Sequence, residues 1–163
     1  MQLATKIAPC LWFDNEAEQA ARFYTSTFKD SKIVSTSHYT DAGREVHGRP
    51  PGSVMTVAFE LAGLSFTALN GGPVFKFNEA ISFQVNCDTQ EEIDHFWNKL
   101  SEGGAEVQCG WLKDKFGLSW QIIPTAMAEL FSDADPTKSG RAMQAMLKMK
   151  KLDIAELKRA AAG

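Results

Sequence analysis

Two stretches, Gly63-Leu64-Ser65-Phe66-Thr67-Ala68-Leu69 and Gly117-Leu118-Ser119-Trp120-Gln121-Ile122-Ile123, decide how this chain is read. Both run glycine, leucine, serine, aromatic, polar, apolar, apolar, so one structural unit is present twice. Before the first copy, Met55, Val57, Phe59 and Leu61 alternate with Thr56, Ala58 and Glu60, the pattern of a half-buried strand. Ala62-Gly63 then turns the chain into a second strand, Leu64 to Asn70, completing a hairpin. Before the second copy, short strands are expected near Glu106–Cys109 and Trp111–Lys115, and the copy itself runs on from Leu118 to Pro124.

Working outward, the repeat extends to the first elements of each copy. Ile7 to Phe13 reads as a strand with Ile7, Leu11 and Phe13 on one side and Cys10 and Trp12 on the other. Its end, Leu11 to Phe13 with Asp14, matches Val85 to Cys87 with Asp88. Asp14-Asn15 offers a cap for a helix over Glu16–Phe28, and Thr89 with Glu92 forms a capping box for one over Gln90–Leu100. Phe23-Tyr24 and Phe96-Trp97 occupy equivalent places on the two helices, and Ile93, Phe96, Trp97 and Leu100 form the buried stripe expected of the second. Ser31 to Tyr39 suits a strand, and Thr40 to Ser53 reads as a loop that the second copy lacks. The fold expected is α+β: two βαβββ modules pairing into an eight-stranded curved sheet with outer helices. Module one spans about 5–72 and module two about 78–124, inside a single domain over 1–131. Residues 132–163 form a C-terminal helical extension, with Asp135-Pro136 opening a helix through Lys150 and Asp153 opening the next. There Met143, Met146, Leu147 and Met149 form an apolar stripe that packs on the domain or meets a partner subunit.

Composition bounds the function. With 163 residues, 44% of them hydrophobic, the chain can bury a core without a metal or disulfide. A net charge of −3 argues against a basic nucleic-acid face. No apolar run reaches the ~20 residues of a membrane span, and Met1 to Lys6 lacks a signal peptide's charged start and long apolar centre. A cytoplasmic protein without nucleic-acid or membrane partners is expected. Cys10, Cys87 and Cys109 are odd in number and lack C-x-x-C spacing, so neither a disulfide framework nor a zinc knuckle is expected.

The chain resembles the vicinal oxygen chelate superfamily of glyoxalase I, extradiol dioxygenases and bleomycin-resistance proteins. Within it, the likeness is to the PhnB-like group often labelled 3-demethylubiquinone 3-methyltransferase. Leu11-Trp12-Phe13-Asp14, Asn70-Gly71-Gly72-Pro73, Asn78-Glu79-Ala80-Ile81-Ser82-Phe83 and the run Trp111 to Gln121 carry the resemblance. It implies a small-molecule cleft, a homodimer and, in glyoxalase-type members, a divalent metal held by residues of the first and last strand of each module. Those positions fall here on Ile7 or Ala8, Ala80 or Ile81, Thr67 and Gln121. None is a carboxylate, imidazole or thiolate, so no metal and no cofactor are expected. His38 and His47 are the loop-borne alternative, and His95 sits beside Asp94 on a helix. An S-adenosylmethionine site needs a glycine-rich turn after the first strand, whereas Asp14-Asn15-Glu16 follows here.

Strand parity turns Ile81, Phe83 and Val85 towards the helix and leaves a cleft of neutral hydrogen-bonders with an aromatic wall, suited to an uncharged or weakly polar small molecule. The ligand-binding candidates are Trp12, Ser65, Thr67, Ser82, Gln84, Trp111 and Gln121, with Ser119 on the same face. Catalytic candidates are Glu60, as a carboxylate base, and Cys10, a nucleophile only if something lowers its pKa. Lys113 and Asp114 read as solvated loop charges. Two functional classes follow: a metal-free binding or sequestering module, and a glyoxalase- or dioxygenase-type enzyme acting on a small carbonyl or aromatic metabolite.

Overall fold

The computed structural model describes residues 5–163, so the reading of Met1 to Ala4 lies outside the described residues. The chain divides into two compact units, residues 1–76 and 77–163. In the first, β1 (Cys10–Phe13) leads into α1 (Ala17–Thr27), followed by β2 (Lys32–His38), α2 (Arg44–His47), β3 (Val54–Leu61) and β4 (Leu64–Asn70). The second repeats the order as β5 (Ser82–Cys87), α3 (Gln90–Ser101), β6 (Ala105–Glu106), β7 (Trp111–Lys113) and β8 (Ser119–Pro124). It then adds α4 (Met127–Ser132), α5 (Pro136–Met146) and α6 (Ile154–Ala162). The sheets run β1-β4-β3-β2 and β5-β8-β7-β6; in each, the helix carries the chain from the first strand to the far edge strand, and the last strand returns to lie parallel to the first. Register confirms the duplication: Cys10 lies opposite Thr67, and their counterparts Gln84 and Gln121 lie opposite each other.

Alternation sorts each sheet into two faces. In the first unit Leu11, Phe13, Val57, Phe59, Phe66 and Ala68 are buried beside the buried stripe of α1, which includes Ala17, Ala20, Ala21 and Tyr24. In the second, Val85, Cys87, Leu112, Trp120 and Ile122 are buried with Ile93, Trp97 and Leu100 of α3. Phe96, expected on that stripe, is only half-buried.

The two helices begin differently. On α3, Thr89 accepts from the Glu92 amide at 3.2 Å while Glu92 accepts from the Asp88 amide at 2.7 Å, so the return bond of the capping box reaches one residue further back than expected. On α1 neither Asp14 nor Asn15 caps; Glu16 is the N-cap and makes no side-chain capping bond. The Ala17 amide instead donates to Oδ1 of Asn70 at 2.8 Å, and Asn70 Nδ2 donates to the Val54 carbonyl at 3.0 Å. The end of β4 thus caps the helix, a tertiary device that no local pattern announces.

The structure corrects five further expectations. Pro9 delays β1 to Cys10, leaving Ile7 85% exposed. Ile81 precedes β5 and is 71% exposed instead of packing on the helix. The Thr40–Ser53 loop contains one helical turn, α2, between two left-handed glycines. The helix after Asp135-Pro136 stops at Met146, short of the expected Lys150; only Ala142 of it is buried, and Met143 and, just beyond it, Leu147 are exposed. Asp114 is buried, not solvated: Oδ1 accepts from the Phe116 and Leu118 amides at 2.8 and 3.1 Å, and Oδ2 from the Trp120 indole at 2.9 Å. That carboxylate ties the Lys115-Phe116-Gly117 hairpin loop, whereas the equivalent turn in module one is the two-residue Ala62-Gly63. Gly63 and Gly117, which open the repeated stretches, both hold the left-handed conformation their turns require, at φ 86° and 87°.

The tail docks on module two. Cys109 and Gly110 donate to the Met149 and Lys150 carbonyls at 2.8 Å. Gln90 donates to the Leu152 carbonyl and accepts from the Ile154 amide, and Lys151 pairs with Asp94 at 2.6 Å.

Candidate functional site

The face of each sheet opposite its helix carries the candidate residues. In module one, Cys10 and Trp12 of β1 lie opposite Thr67 and Leu69 of β4, and Ser65 and Thr67 lie opposite Glu60 and Ala58 of β3. Cys10, Thr67, Ser65 and Glu60 therefore share one surface. Glu60 is half-buried and paired with Lys32 at 3.4 Å, so its carboxylate already has a counter-ion. Cys10 is exposed, yet the protein around its Sγ desolvates it enough to push the thiol above its ordinary value. At neutral pH it is a thiol, not the thiolate a nucleophile requires.

Trp12 is fixed. Its indole N–H donates to the Gly72 carbonyl at 2.8 Å, and Phe75 meets its ring edge-on at 4.9 Å. Gly71 lies against the ring so closely that a Cβ there would overlap it. Asn70-Gly71-Gly72 is thus a cradle: the asparagine caps the helix, the first glycine admits the indole and the second accepts its proton. With its N–H engaged, Trp12 offers a ligand only aromatic surface.

In module two the ladder makes two rows across three strands. Ser82, Ser119 and Lys113 lie abreast, and Gln84, Gln121 and Trp111 form the next row. Gln121 Nε2 donates to Ser82 Oγ at 2.8 Å, and Gln84 Nε2 approaches Gln121 Oε1 at 3.4 Å, a loose contact. Ser82, Gln84 and Gln121 are thereby joined on one face, with Trp111 half-buried beside them. Ser119 is 1% exposed and its Oγ has no hydrogen-bond partner among the described residues. Leaving such a hydroxyl unsatisfied costs about 1–3 kcal/mol. Lys113 completes the row and pairs with Glu79, whose carboxyl its hydrogen bond holds below the ordinary range. Lys113 was missed as a site residue. The alternation Trp111-Leu112-Lys113 could have found it, because Leu112 is core and its neighbours must face the other way.

The positions at which glyoxalase-type relatives hold a metal do not fit one. Ile7, Ala8, Ala80 and Ile81 present no lone pair, and Thr67 and Gln121 are neutral. Among the described residues no cluster of three or more His, Cys, Asp and Glu forms. His47 is committed within its loop: Nδ1 accepts from the Arg49 amide at 3.0 Å, so Nε2 carries the proton towards the Ala42 carbonyl at 3.2 Å. His38 is exposed at the end of β2.

The family described as 3-demethylubiquinone-9 3-methyltransferase matches residues 5–123. A solved Bacillus cereus structure, described as a putative 3-demethylubiquinone-9 3-methyltransferase, PhnB protein, is 37% identical. The match covers 74% of this chain and all of that one, with a TM-score of 0.66. The chain belongs to this PhnB-like family. The fold extends to more distant structures beyond the family label. Protein PA1353 from Pseudomonas aeruginosa is 18% identical, with 74% of this chain and 97% of that chain covered at a TM-score of 0.59. The fosfomycin resistance protein FosX of Mesorhizobium loti is 11% identical, with 81% and 100% covered at 0.55. No curated protein matches the chain. The methyltransferase wording is a family label and establishes no reaction. Among the described residues no helix is long and apolar enough to cross a membrane.

Proposed function

We propose that this PhnB-like protein is a small-molecule-binding or sequestering module, acting as a cytoplasmic homodimer, with no metal or cofactor in its site. The observation that carries this reading is the Ser82–Gln121–Gln84 array with Ser119 and Trp111 beside it. It supplies placed hydrogen-bonding groups and an aromatic surface without a free base or activated nucleophile. Cys10 is a protonated thiol and Glu60 is ion-paired, which weighs against chemistry at either. Methyl transfer has no support in the turn after β1, where Asp14-Asn15-Glu16 provides no glycine for close approach of a nucleotide-like cofactor.

A thermal-shift screen of small metabolites and divalent metals on the full-length chain tests the reading. Saturable binding without turnover is the expected result. Turnover of a bound carbonyl or aromatic compound, lost in Glu60→Gln, would replace it with the glyoxalase- or dioxygenase-type enzyme. Light scattering after size exclusion tests the dimer, and a mass of 18 kDa would refute it.

A further inference from the structure

We propose that the Ser82–Ser119–Lys113 row binds the carboxylate end of a small organic acid. The inference rests on the binding reading above and names the ligand's class. The three residues lie abreast on β5, β8 and β7, strands spaced about 4.8 Å apart, so their side chains leave the same face of the sheet side by side. Each of the three has at least one proton free to donate. Ser82 Oγ is occupied as an acceptor by Gln121, which leaves its single proton to donate. Ser119 is almost wholly buried, and its hydroxyl has neither donor nor acceptor among the described residues. Native proteins rarely leave such a group unsatisfied, so this hydroxyl points to a missing partner. Lys113 brings three further donors and a positive charge.

The complement of two hydroxyl protons and an ammonium is a group that only accepts and carries negative charge. One lysine matches the single charge of a carboxylate and leaves a phosphate dianion half-compensated. Glu79, the present partner of Lys113, is itself a carboxylate. Its side chain is 61% exposed, and an exposed pair of this kind is weak enough to exchange. The adjoining row, Gln84–Gln121–Trp111, then meets the body of the ligand with amide groups and an indole face, which suits a flat, uncharged remainder.

The test titrates the full chain with benzoate, with benzamide as its neutral isostere and with inorganic phosphate, followed by calorimetry and melting temperature. Benzoate is expected to bind at least ~10-fold more tightly than either control. Lys113→Met and Ser82→Ala should each weaken it by about 10-fold. Ser119→Ala removes an unsatisfied hydroxyl, so the ligand-free protein should melt at the same temperature or higher while benzoate binding falls several-fold. A merely structural serine would not separate the two readouts. Benzamide binding as tightly as benzoate, with loss in Trp111→Ala, would overturn the carboxylate assignment and keep the binding module. Phosphate binding more tightly than benzoate would also overturn it. Benzoate binding unchanged in Lys113→Met would place the acid elsewhere and refute the row. No binding of either aromatic probe refutes the assignment, and the metabolite screen decides the binding reading separately.

Discussion

Replacing Asp114 by asparagine isolates what one buried carboxylate does for module two. Asp114 accepts three hydrogen bonds, two from the amides of Phe116 and Leu118 and one from the indole of Trp120. Asparagine keeps one acceptor oxygen. In its better orientation that oxygen stays on the two amides, and the new NH2 group faces the Trp120 N–H, donor against donor. Two bonds fall from charge-assisted to neutral, at about 0.5–1 kcal/mol each, and a buried indole is left unpaired at about 1–3 kcal/mol. Relief from burying a charge returns part of this, so a net loss of about 2–3 kcal/mol is expected. For a chain of this size that is a fall of roughly 4–12 °C in melting temperature. Asp114→Ala should lose more, since all three donors are orphaned. Thermal denaturation followed by circular dichroism measures the loss, and hydrogen exchange at Phe116 and Leu118 localises it. An Asp114→Asn protein melting within 1 °C of wild type, with both amides still protected, would refute the account of this turn.

Asn70→Ala should lose about 2–4 kcal/mol in urea unfolding, because it leaves the Ala17 amide and the Val54 carbonyl unpaired in a buried place; a loss under 1 kcal/mol would show that α1 does not need this cap. Asp94 is held below its ordinary value chiefly by the hydrogen bond from Lys151. Its contribution is therefore present above the unfolded value of about 3.9 and disappears as pH falls through the lower folded value. Lys151→Met should cost about 0.5 kcal/mol at pH 7, discounted for a pair this exposed, and the difference from wild type should vanish in acid. A difference that persists below the folded value would show that Lys151 acts through packing. Among the cysteines, exposed Cys10 should be alkylated first, at a rate rising with pH. Cys87, buried and pushed up to about 12, should stay unmodified until the chain unfolds. Mass spectrometry of the native protein that found Cys87 labelled first would contradict the burial.

The order of elements along the chain, the duplication and most of the helix-facing core were legible because they rest on short-range periodicity and on one seven-residue match. The β3–β4 hairpin and α6 could be placed from turn and cap residues alone. What escaped was what depends on distant partners. Asp114 sits in a charged turn, Lys113-Asp114-Lys115, and only the tertiary placement of Trp120 and two amides makes its carboxylate internal. Asn70 reads as the end of a strand, and nothing nearby predicts that it caps a helix that begins far upstream. The binding candidates were legible through parity, which sends Ser82, Gln84 and Gln121 to one face; the hydrogen bonds among them, and the orphaned Ser119, needed coordinates.

Duplication also explains why the two faces cannot be equivalent ligand surfaces. Ser65 and Ser119 occupy the same place in the repeat and are both buried, at 7% and 1% exposure. Their cross-strand neighbours carry opposite charge: Glu60 lies opposite Ser65, and Lys113 opposite Ser119. Each has its own counter-ion, Lys32 for the acid and Glu79 for the base. A fold that preserves backbone and buried serine while inverting the adjacent charge keeps its architecture and changes what it can recognise, because backbone geometry is indifferent to the sign of a rim charge and a ligand is not. Module one therefore offers an acid beside threonine, serine and a fixed indole, and module two offers hydroxyl protons and an ammonium. An anion meets complementary groups only on module two, and this makes Lys113, rather than Glu60, the charge whose removal should be felt most by an acidic ligand.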